Sequence, residues 1–183
     1  MRLIIKNIIY LSLTVSLFVQ LPVLAKNQTD DERLFKAAYI YNFAKFTRWP
    51  HSSQKNPPLI LCTVGNDDLV DDLKRLGGKV IKGRRLTVLQ VDKKNYQSSC
   101  NLLYIAVSEK KRVSRILKNA QKQPVLTISM LQGFEKNGGM VQLYTSKGKT
   151  RILINLLRVR KAGLEVSSRL LMLAKVTGSE DLP

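Results

Sequence analysis

Short, mainly apolar runs alternate with helix-forming segments through the middle of this chain. The runs occupy residues 59–64, 86–91, 100–107 and 125–128. Such runs are typical of strands that are covered on both faces in a parallel sheet. Segments 67–73 and 109–121 lie between runs and have helical patterns. The resulting order, β-α-β-β-α-β, predicts an α/β fold, with one three-layer domain whose mostly parallel sheet is flanked by helices.

The C-terminal third has a different pattern. Two apolar stretches, 140–145 and 151–155, flank Ser146, Lys147 and Gly148, which predicts a β-hairpin. Ser167 then precedes an apolar segment that ends near Val176 and is expected to cap a last helix. We therefore expect a C-terminal hairpin and helix after the parallel sheet.

A further helix is expected before the first strand. Thr29 and Asp30 favour a helix start, and Pro50 limits the helix to about Arg48. Four aromatic residues at intervals of four, four and three form one stripe: Phe35, Tyr39, Phe43 and Phe46. With a second apolar face beside it, the helix is expected to be buried between elements, and the stripe is interpreted as core.

The first 25 residues have the pattern of an export signal. Arg2 and Lys6 precede an uncharged apolar run, and Pro22 and Ala25 follow it, as in a secretory signal peptide. The uncharged stretch 7–25 is also long enough to span a bilayer, so a retained anchor is the alternative. Polar residues within the stretch favour cleavage after Ala25. The predicted organisation is a signal peptide at 1–25 and one domain at 26–183.

The chain is strongly basic. It has 31 Lys and Arg residues against 13 Asp and Glu, a net charge of +18 and a pI near 10.2. In the cytoplasm this charge would suggest nucleic acid as a partner. For an exported protein the available polyanions are lipid head groups, acidic wall polymers and acidic protein faces. The basic residues are scattered along the chain, so we interpret them as a solvated surface and expect no nucleic-acid partner.

Catalytic and metal-binding patterns are scarce in the sequence. The single histidine, His51, follows Trp49-Pro50 and is interpreted as a surface residue. One His and two Cys are too few for a zinc site built from those residues. Four aspartates could form a metal cluster, but we expect two to cap a helix and two to face solvent: Asp67, Asp68, Asp71 and Asp72. Phosphate-binding glycine motifs and a nucleophile elbow are missing. We predict a non-enzymatic protein without a cofactor.

The two cysteines are Cys62 and Cys100. In an oxidising compartment two thiols more often pair than stay free. If the export signal is real, we therefore expect a structural disulfide between them.

Two segments make the chain recognisable. Residues 37–50 read Ala-Ala-Tyr-Ile-Tyr-Asn-Phe-Ala-Lys-Phe-Thr-Arg-Trp-Pro, which closely resembles the opening signature of the YfiR-like family of exported bacterial proteins. A second match comprises residues 138–141, 152–156, 162–164 and 167–174. The two matches lie at opposite ends of the mature chain, so the resemblance spans nearly all of it.

The resemblance implies a periplasmic regulator with a compact α/β fold that tends to form homodimers. In this family the regulator binds the periplasmic sensor region of an inner-membrane diguanylate cyclase and represses cyclic-di-GMP synthesis and biofilm formation. An outer-membrane, peptidoglycan-binding lipoprotein can relieve the repression. The family protein carries two disulfides and is redox-sensitive; Cys62 and Cys100 match one bridge, and the second pair has no counterpart here.

Five residues are candidates for contact with a partner. Phe46, Arg48 and Trp49 come first, because Trp and Arg are common interface anchors. Asn155 and Arg169 are second choices, and the alternative for Trp49 and Asn155 is that they hold the fold together. Two other functions stay open: a module that binds a small ligand at the strand ends of the sheet, and a cell-wall-binding protein that relies on its charge.

Overall fold

A computed structural model describes residues 24–50, 56–92 and 100–178. The chain divides into two units, Met1–Asp31 and Glu32–Pro183. The first 23 residues of the expected signal peptide, and His51, lie outside the described residues. Within the described ranges, no helix combines the length and the apolar character needed to cross a bilayer.

Helices and strands alternate along most of the second unit. The helices are α1 (Leu24–Phe46, which begins in the first unit), α2 (Asp68–Lys74), α3 (Val113–Ala120), α4 (Leu156–Lys161) and α5 (Ser168–Leu171), and a 3₁₀ helix (Val107–Arg112) precedes α3. The strands are β1 (Thr47–Arg48), β2 (Leu59–Val64), β3 (Val80–Ile81), β4 (Arg84–Gln90), β5 (Leu102–Ile105), β6 (Leu126–Ser129), β7 (Val141–Ser146), β8 (Lys149–Asn155), β9 (Glu165–Val166) and β10 (Lys175–Thr177).

The main sheet has the strand order β10-β8-β7-β6-β5-β2-β4-β3. The pairs β4-β2, β2-β5, β5-β6 and β6-β7 are parallel, whereas β3 and β8 run antiparallel to their neighbours β4 and β7. Strands β1 and β9 form a separate antiparallel pair. The mostly parallel sheet predicted from the apolar runs is thus confirmed.

Hydrophobic residues cover both faces of the sheet. On one face Leu61 and Tyr104 pack with residues of α1 and α2. On the other face Cys62 and Leu103 pack with residues of α3. Alternate residues of a strand point to opposite faces, so the continuous apolar runs supply two cores. The predicted three-layer arrangement is confirmed.

The predicted hairpin is formed by β7 and β8. Its two turn residues, Lys147 and Gly148, have φ angles of 52° and 68°. Positive φ at both central residues is typical of the tight turn whose twist matches that of the flanking strands. The sequence signal therefore identified this turn.

The predicted last helix is present but shorter than expected. Only Ser168–Leu171 is helical, and Lys175–Thr177 instead pairs in parallel with β8. Ser167 occupies the N-cap position but makes no side-chain capping hydrogen bond. The edge of β8 offers backbone N–H and C=O groups to residues Lys175–Thr177. Pairing with this edge satisfies the backbone hydrogen bonds of the segment, and it therefore prevails over the helical pattern of its apolar residues.

Helix α1 differs from its prediction in its start, its end and its buried face. It begins at Leu24, before the expected cap, and ends at Phe46 because Thr47 pairs with β9. Its buried residues are Ala37, Ile40, Phe43 and Ala44. Phe43 of the aromatic stripe is buried, and Tyr39 and Phe46 are partly buried and pack against the core. Phe35 is 64% exposed, so the interpretation of the stripe as core is wrong at Phe35 alone.

Asp72 was expected to face solvent and is instead buried. Its side chain is 4% exposed and is paired with Arg33, at 3.0 Å, and Arg75, at 3.1 Å. Asp71 is 75% exposed, as expected, and pairs with Lys74 at 2.9 Å. Two guanidinium groups offset the cost of burying the Asp72 carboxylate, and one of them ties α1 to α2.

Candidate functional site

A cavity of about 310 Å³ opens where α1 ends, and we call it the helix-end cavity. Consecutive residues from the end of α1 and from β1 form one wall, and residues of the β3–β4 turn and of β9 form the others. Its lining comprises Ala44, Lys45, Phe46, Thr47, Arg48, Trp49, Leu59, Ile81, Lys82, Arg84, Glu165, Val166 and Ser167. Three of the five candidate partner residues, Phe46, Arg48 and Trp49, are thus brought together here.

The helix-end cavity is basic. Lys45, Arg48, Lys82 and Arg84 line it together with one carboxylate, that of Glu165. Arg48 and Glu165 face each other across the β1–β9 pair, and their side chains form an exposed ion pair at 2.7 Å. An exposed pair of this kind contributes little to stability. Because both side chains are exposed, their charges are accessible to an incoming surface.

Arg84 has a structural role in this wall. Its Nε donates to the carbonyl oxygen of Pro57 at 2.6 Å and its Nη2 to that of Pro58 at 3.2 Å. Burial lowers the pKa of the Arg84 guanidinium. These bonds fix the segment that leads into β2 against the start of β4. The exposed positive charges of the cavity are those of Lys45, Arg48 and Lys82.

Trp49 serves both the fold and the cavity wall. Its indole Nε1 donates to the carbonyl oxygen of Asn101 at 3.0 Å, and its ring packs against the core. Lys45 lies over the neighbouring Phe46 ring, 5.3 Å from the centroid, within range of a cation–π interaction. The aromatic part of the wall is therefore held in place by contacts within the protein.

Two hydroxyl groups in the lining have no hydrogen-bond partner among the residues that the structure describes. They are Thr47 Oγ1 and Ser167 Oγ, and both atoms are buried. Buried polar groups are usually hydrogen-bonded, and leaving one unpaired costs free energy.

Asn155 and Arg169 lie elsewhere. Asn155 Oδ1 accepts a hydrogen bond from the backbone N–H of Arg158 at 3.1 Å, which caps α4, and its Nδ2 donates to the carbonyl oxygen of Glu135 at 3.3 Å. Arg169 is exposed on α5. Neither residue lines the helix-end cavity. The contacts of Asn155 are those expected of a residue that holds the fold together.

The crevice between the segments that follow β2 and β5 is filled by the protein itself. Strand β2 lies between β4, which follows it along the chain, and β5, which comes later, so the strand order reverses at β2. Open α/β sheets bind ligands at such a point of reversal, outside the carboxyl ends of the strands. Here Asp67 Oδ2 accepts hydrogen bonds from the Tyr104 hydroxyl at 2.8 Å and from the Val107 N–H at 3.0 Å. Burial, and then the charge and hydrogen bond of Asp67, raise the pKa of Tyr104. Asp67 caps α2 as predicted, and it also occupies the crevice.

Gly65 and Ser108 close the same crevice more tightly. A Cβ on Gly65 would lie 2.6 Å from Ser108 Oγ, and Gly65 has a φ of +81°. Ser108 Oγ accepts a hydrogen bond from the Asn66 N–H at 2.9 Å. Ser108 lies in the first turn of the 3₁₀ helix, whose N-cap is Ala106. Its hydrogen bond ties that helix to the loop after β2, which leaves no room for a ligand between them.

A second cavity, of about 520 Å³, lies near the carboxyl ends of β5 and β6, and we call it the strand-end cavity. Its lining comprises Val107, Lys110, Met130, Leu131, Gln132, Gly133, Glu135, Lys136, Gln142 and Leu153. None of these residues was predicted from the sequence as part of a site. Glu135 and Gln142 are single polar residues without a motif, and only the fold brings them together.

The predicted disulfide is present. It joins Cys62 on β2 to Cys100, which lies just before β5, with the two Cα atoms 5.8 Å apart. Both cysteines are buried in the core on the α3 face. The bridge therefore reinforces the central parallel pair of the sheet. Across the described residues, no group of three or more His, Cys, Asp or Glu residues is arranged to hold a metal ion.

A family model described as YfiR/HmsC-like matches residues 34–175. The chain belongs to the YfiR/HmsC-like family. The match covers most of the chain, including α1 from Leu34 onward, the main sheet up to the start of β10 and both cavities. Family membership supports the role of a periplasmic regulator in general terms, and the disulfide fits an oxidising compartment.

A solved structure shares the fold. It is the crystal structure of a conserved domain protein from Vibrio cholerae O1 biovar El Tor, which superposes with a TM-score of 0.54 at 12% sequence identity. The match covers 77% of this chain, and this chain spans 59% of the length of that one. At this identity the likeness concerns the fold alone.

Proposed function

We propose that this protein is an exported repressor that binds the periplasmic sensor region of an inner-membrane diguanylate cyclase and lowers cyclic-di-GMP synthesis, thereby limiting biofilm formation. The observation that carries the proposal is membership of the YfiR/HmsC-like family over residues 34–175. The proposal includes a homodimer and, as a second partner, an outer-membrane, peptidoglycan-binding lipoprotein that relieves repression.

The mechanism follows from the position of the protein outside the cytoplasm. A periplasmic regulator cannot touch a cytoplasmic active site, so its effect must cross the membrane through the cyclase. It represses only if it binds the inactive state of the cyclase more tightly than the active one. The ratio of its affinities for the inactive and the active cyclase sets the largest decrease in cyclase activity that it can produce.

The helix-end cavity is the contact surface that we propose. It combines Phe46 and Trp49 with accessible positive charges at Lys45, Arg48 and Lys82. Such a surface suits an acidic face on the sensor region, because charge complementarity raises the association rate. The resulting binding should weaken with salt, since exposed charges are screened over about 8 Å at physiological ionic strength.

Cellular cyclic-di-GMP tests the function. The gene is deleted in the native host and restored either in full or without residues 1–25. A rise on deletion that the full gene reverses and the truncated one does not supports a periplasmic repressor. Unchanged cyclic-di-GMP across growth conditions would contradict the proposal and favour the alternatives, a small-ligand-binding or cell-wall-binding module.

A pair of charge reversals tests the surface. Lys82→Glu changes the helix-end cavity, and Lys118→Glu makes the same change at an exposed position of α3 on the opposite face of the sheet. Provided that both variants melt like the wild type, only Lys82→Glu should weaken binding to the cyclase sensor region and raise cyclic-di-GMP. Equal effects of the two reversals would show that net charge, and not this cavity, determines binding.

A further inference from the structure

The strand-end cavity contains two buried polar side chains. Glu135 is 8% exposed and Gln142 is 5% exposed. Both line the cavity, beside the apolar side chains of Met130, Leu131 and Leu153. A concave space of several hundred Å³ that combines apolar side chains with a few convergent polar groups is a common form of small-molecule site.

The polar groups of these two residues are incompletely used. Gln142 Oε1 accepts a hydrogen bond from the Phe134 N–H at 2.9 Å, which fixes the amide and leaves its Nε2 donors without a partner in the described part of the chain. The Glu135 carboxylate likewise forms no hydrogen bond or ion pair with any described residue. Both residues line the cavity, so these groups are available to a ligand that enters it.

A buried carboxylate determines which ligand is favoured. Removing a charge from water is costly unless it is paired, and an ammonium group would supply both a counter-charge and hydrogen-bond donors. Lys110 and Lys136 also line the cavity, but both are exposed, so water and salt screen their charges more than that of Glu135. The apolar side chains suit a hydrocarbon body attached to the cationic nitrogen.

We propose that the strand-end cavity binds a small organic ammonium ion, with Glu135 accepting hydrogen bonds from the cationic nitrogen and the apolar residues covering its hydrocarbon body. Gln142 Nε2 offers a donor for an oxygen on the ligand. The site is independent of the proposed repression and of the helix-end cavity.

Two isosteric probes test the ligand class on the purified periplasmic protein. Isoamylamine and isoamyl alcohol share the same branched tail and differ only in the ammonium or hydroxyl group. In a calorimetric or NMR titration the amine should bind about tenfold or more tightly than the alcohol, because a charged hydrogen bond is worth more than a neutral one. Equal binding of the two probes, or no binding of the amine, would overturn the proposal.

Matched substitutions locate the site. Glu135→Gln should weaken isoamylamine binding about tenfold or more and leave the alcohol unaffected. Glu165→Gln makes the same change at the helix-end cavity and should leave the affinities for both probes unchanged. Weaker isoamylamine binding in Glu165→Gln would place the amine in the helix-end cavity and refute the assignment. Lys110→Ala removes a like charge and should tighten amine binding slightly, and weaker binding in this variant would also count against the site. Should Glu135→Gln fail to fold, the preference of the wild-type protein for the amine and the response of Lys110→Ala decide the matter.

Discussion

The indole N–H of Trp49 donates a hydrogen bond to the carbonyl oxygen of Asn101, 3.0 Å away. Asn101 follows the disulfide residue Cys100, and its side-chain Oδ1 accepts a hydrogen bond from the Ile60 N–H at 2.9 Å. One short segment therefore connects the end of α1, the disulfide and strand β2. A residue chosen from the sequence as an interface anchor also holds the central strands together.

Substitution of Trp49 should separate its two roles. Trp49→Phe keeps a ring in the wall and loses the hydrogen bond, so we expect a loss of about 1 kcal/mol in the free energy of unfolding. Trp49→Ala also removes the packed ring, and we expect a loss of about 3 kcal/mol. Urea denaturation measures both values. If Trp49→Ala changes neither stability nor binding to the cyclase sensor region, Trp49 has neither role.

The disulfide should contribute strongly to stability. It closes a loop with a sequence separation of 38 residues, for which the chain-entropy model gives a contribution of about 4 kcal/mol. The Cys62→Ser and Cys100→Ser double variant should lose about this amount in denaturant unfolding. Mass spectrometry of protein isolated from the periplasm should find both thiols oxidised, and two free thiols would contradict the assignment.

Asp72 and Asp71 provide a matched pair. Asp72→Asn weakens two charge-assisted contacts of a buried carboxylate, with Arg33 and Arg75, and should cost about 1.5–3 kcal/mol. Asp71→Asn changes an exposed residue and should alter stability by less than about 0.5 kcal/mol. Thermal unfolding of the two variants side by side measures the difference. Equal melting temperatures would show that the buried ion pairs add nothing to stability.

Glu32 should make stability depend on pH. Hydrogen bonds from Lys36 and from the Thr145 hydroxyl, together with the Lys36 charge, lower the pKa of the Glu32 carboxyl below its ordinary value of 4.5. A carboxyl with a lowered folded-state pKa stabilises the fold above its unfolded pKa, and this stabilisation disappears as the pH falls through the folded value. The melting temperature of the wild type should therefore decrease more steeply below about pH 4.5 than that of Glu32→Gln. Parallel curves for the two proteins would refute the role of Glu32.

The local sequence identified the features that depend on neighbouring residues. The apolar runs predicted β2, β5 and β6 because strands covered on both faces need apolar side chains at every position. Lys147-Gly148 predicted its hairpin because two positive φ angles need suitable residues. Cys62 and Cys100 were the only cysteines, so their pairing needed only an oxidising compartment.

Other features depend on distant parts of the chain. Lys175–Thr177 is a strand because β8 leaves an edge beside it, and no local pattern records that edge. Asp72 is buried because Arg33, 39 residues away, lies against it. Phe35 is exposed although Phe43, in the same aromatic stripe, is buried. Only the packing of α1 against distant parts of the chain decides which of its apolar side chains are covered.

The sequence by itself determined the fold class, the family, the disulfide and the choice of Phe46, Arg48 and Trp49, because each depends on residue types or on a short string. Only the tertiary structure decided that these three residues line one basic cavity. It also decided that Asp67 and Ser108 fill the crevice between the segments after β2 and β5, and that Glu135 and Gln142 both line the strand-end cavity. Cavities form between segments that are far apart along the chain. Their position therefore follows from strand order and register, which the sum of many weak packing contacts determines.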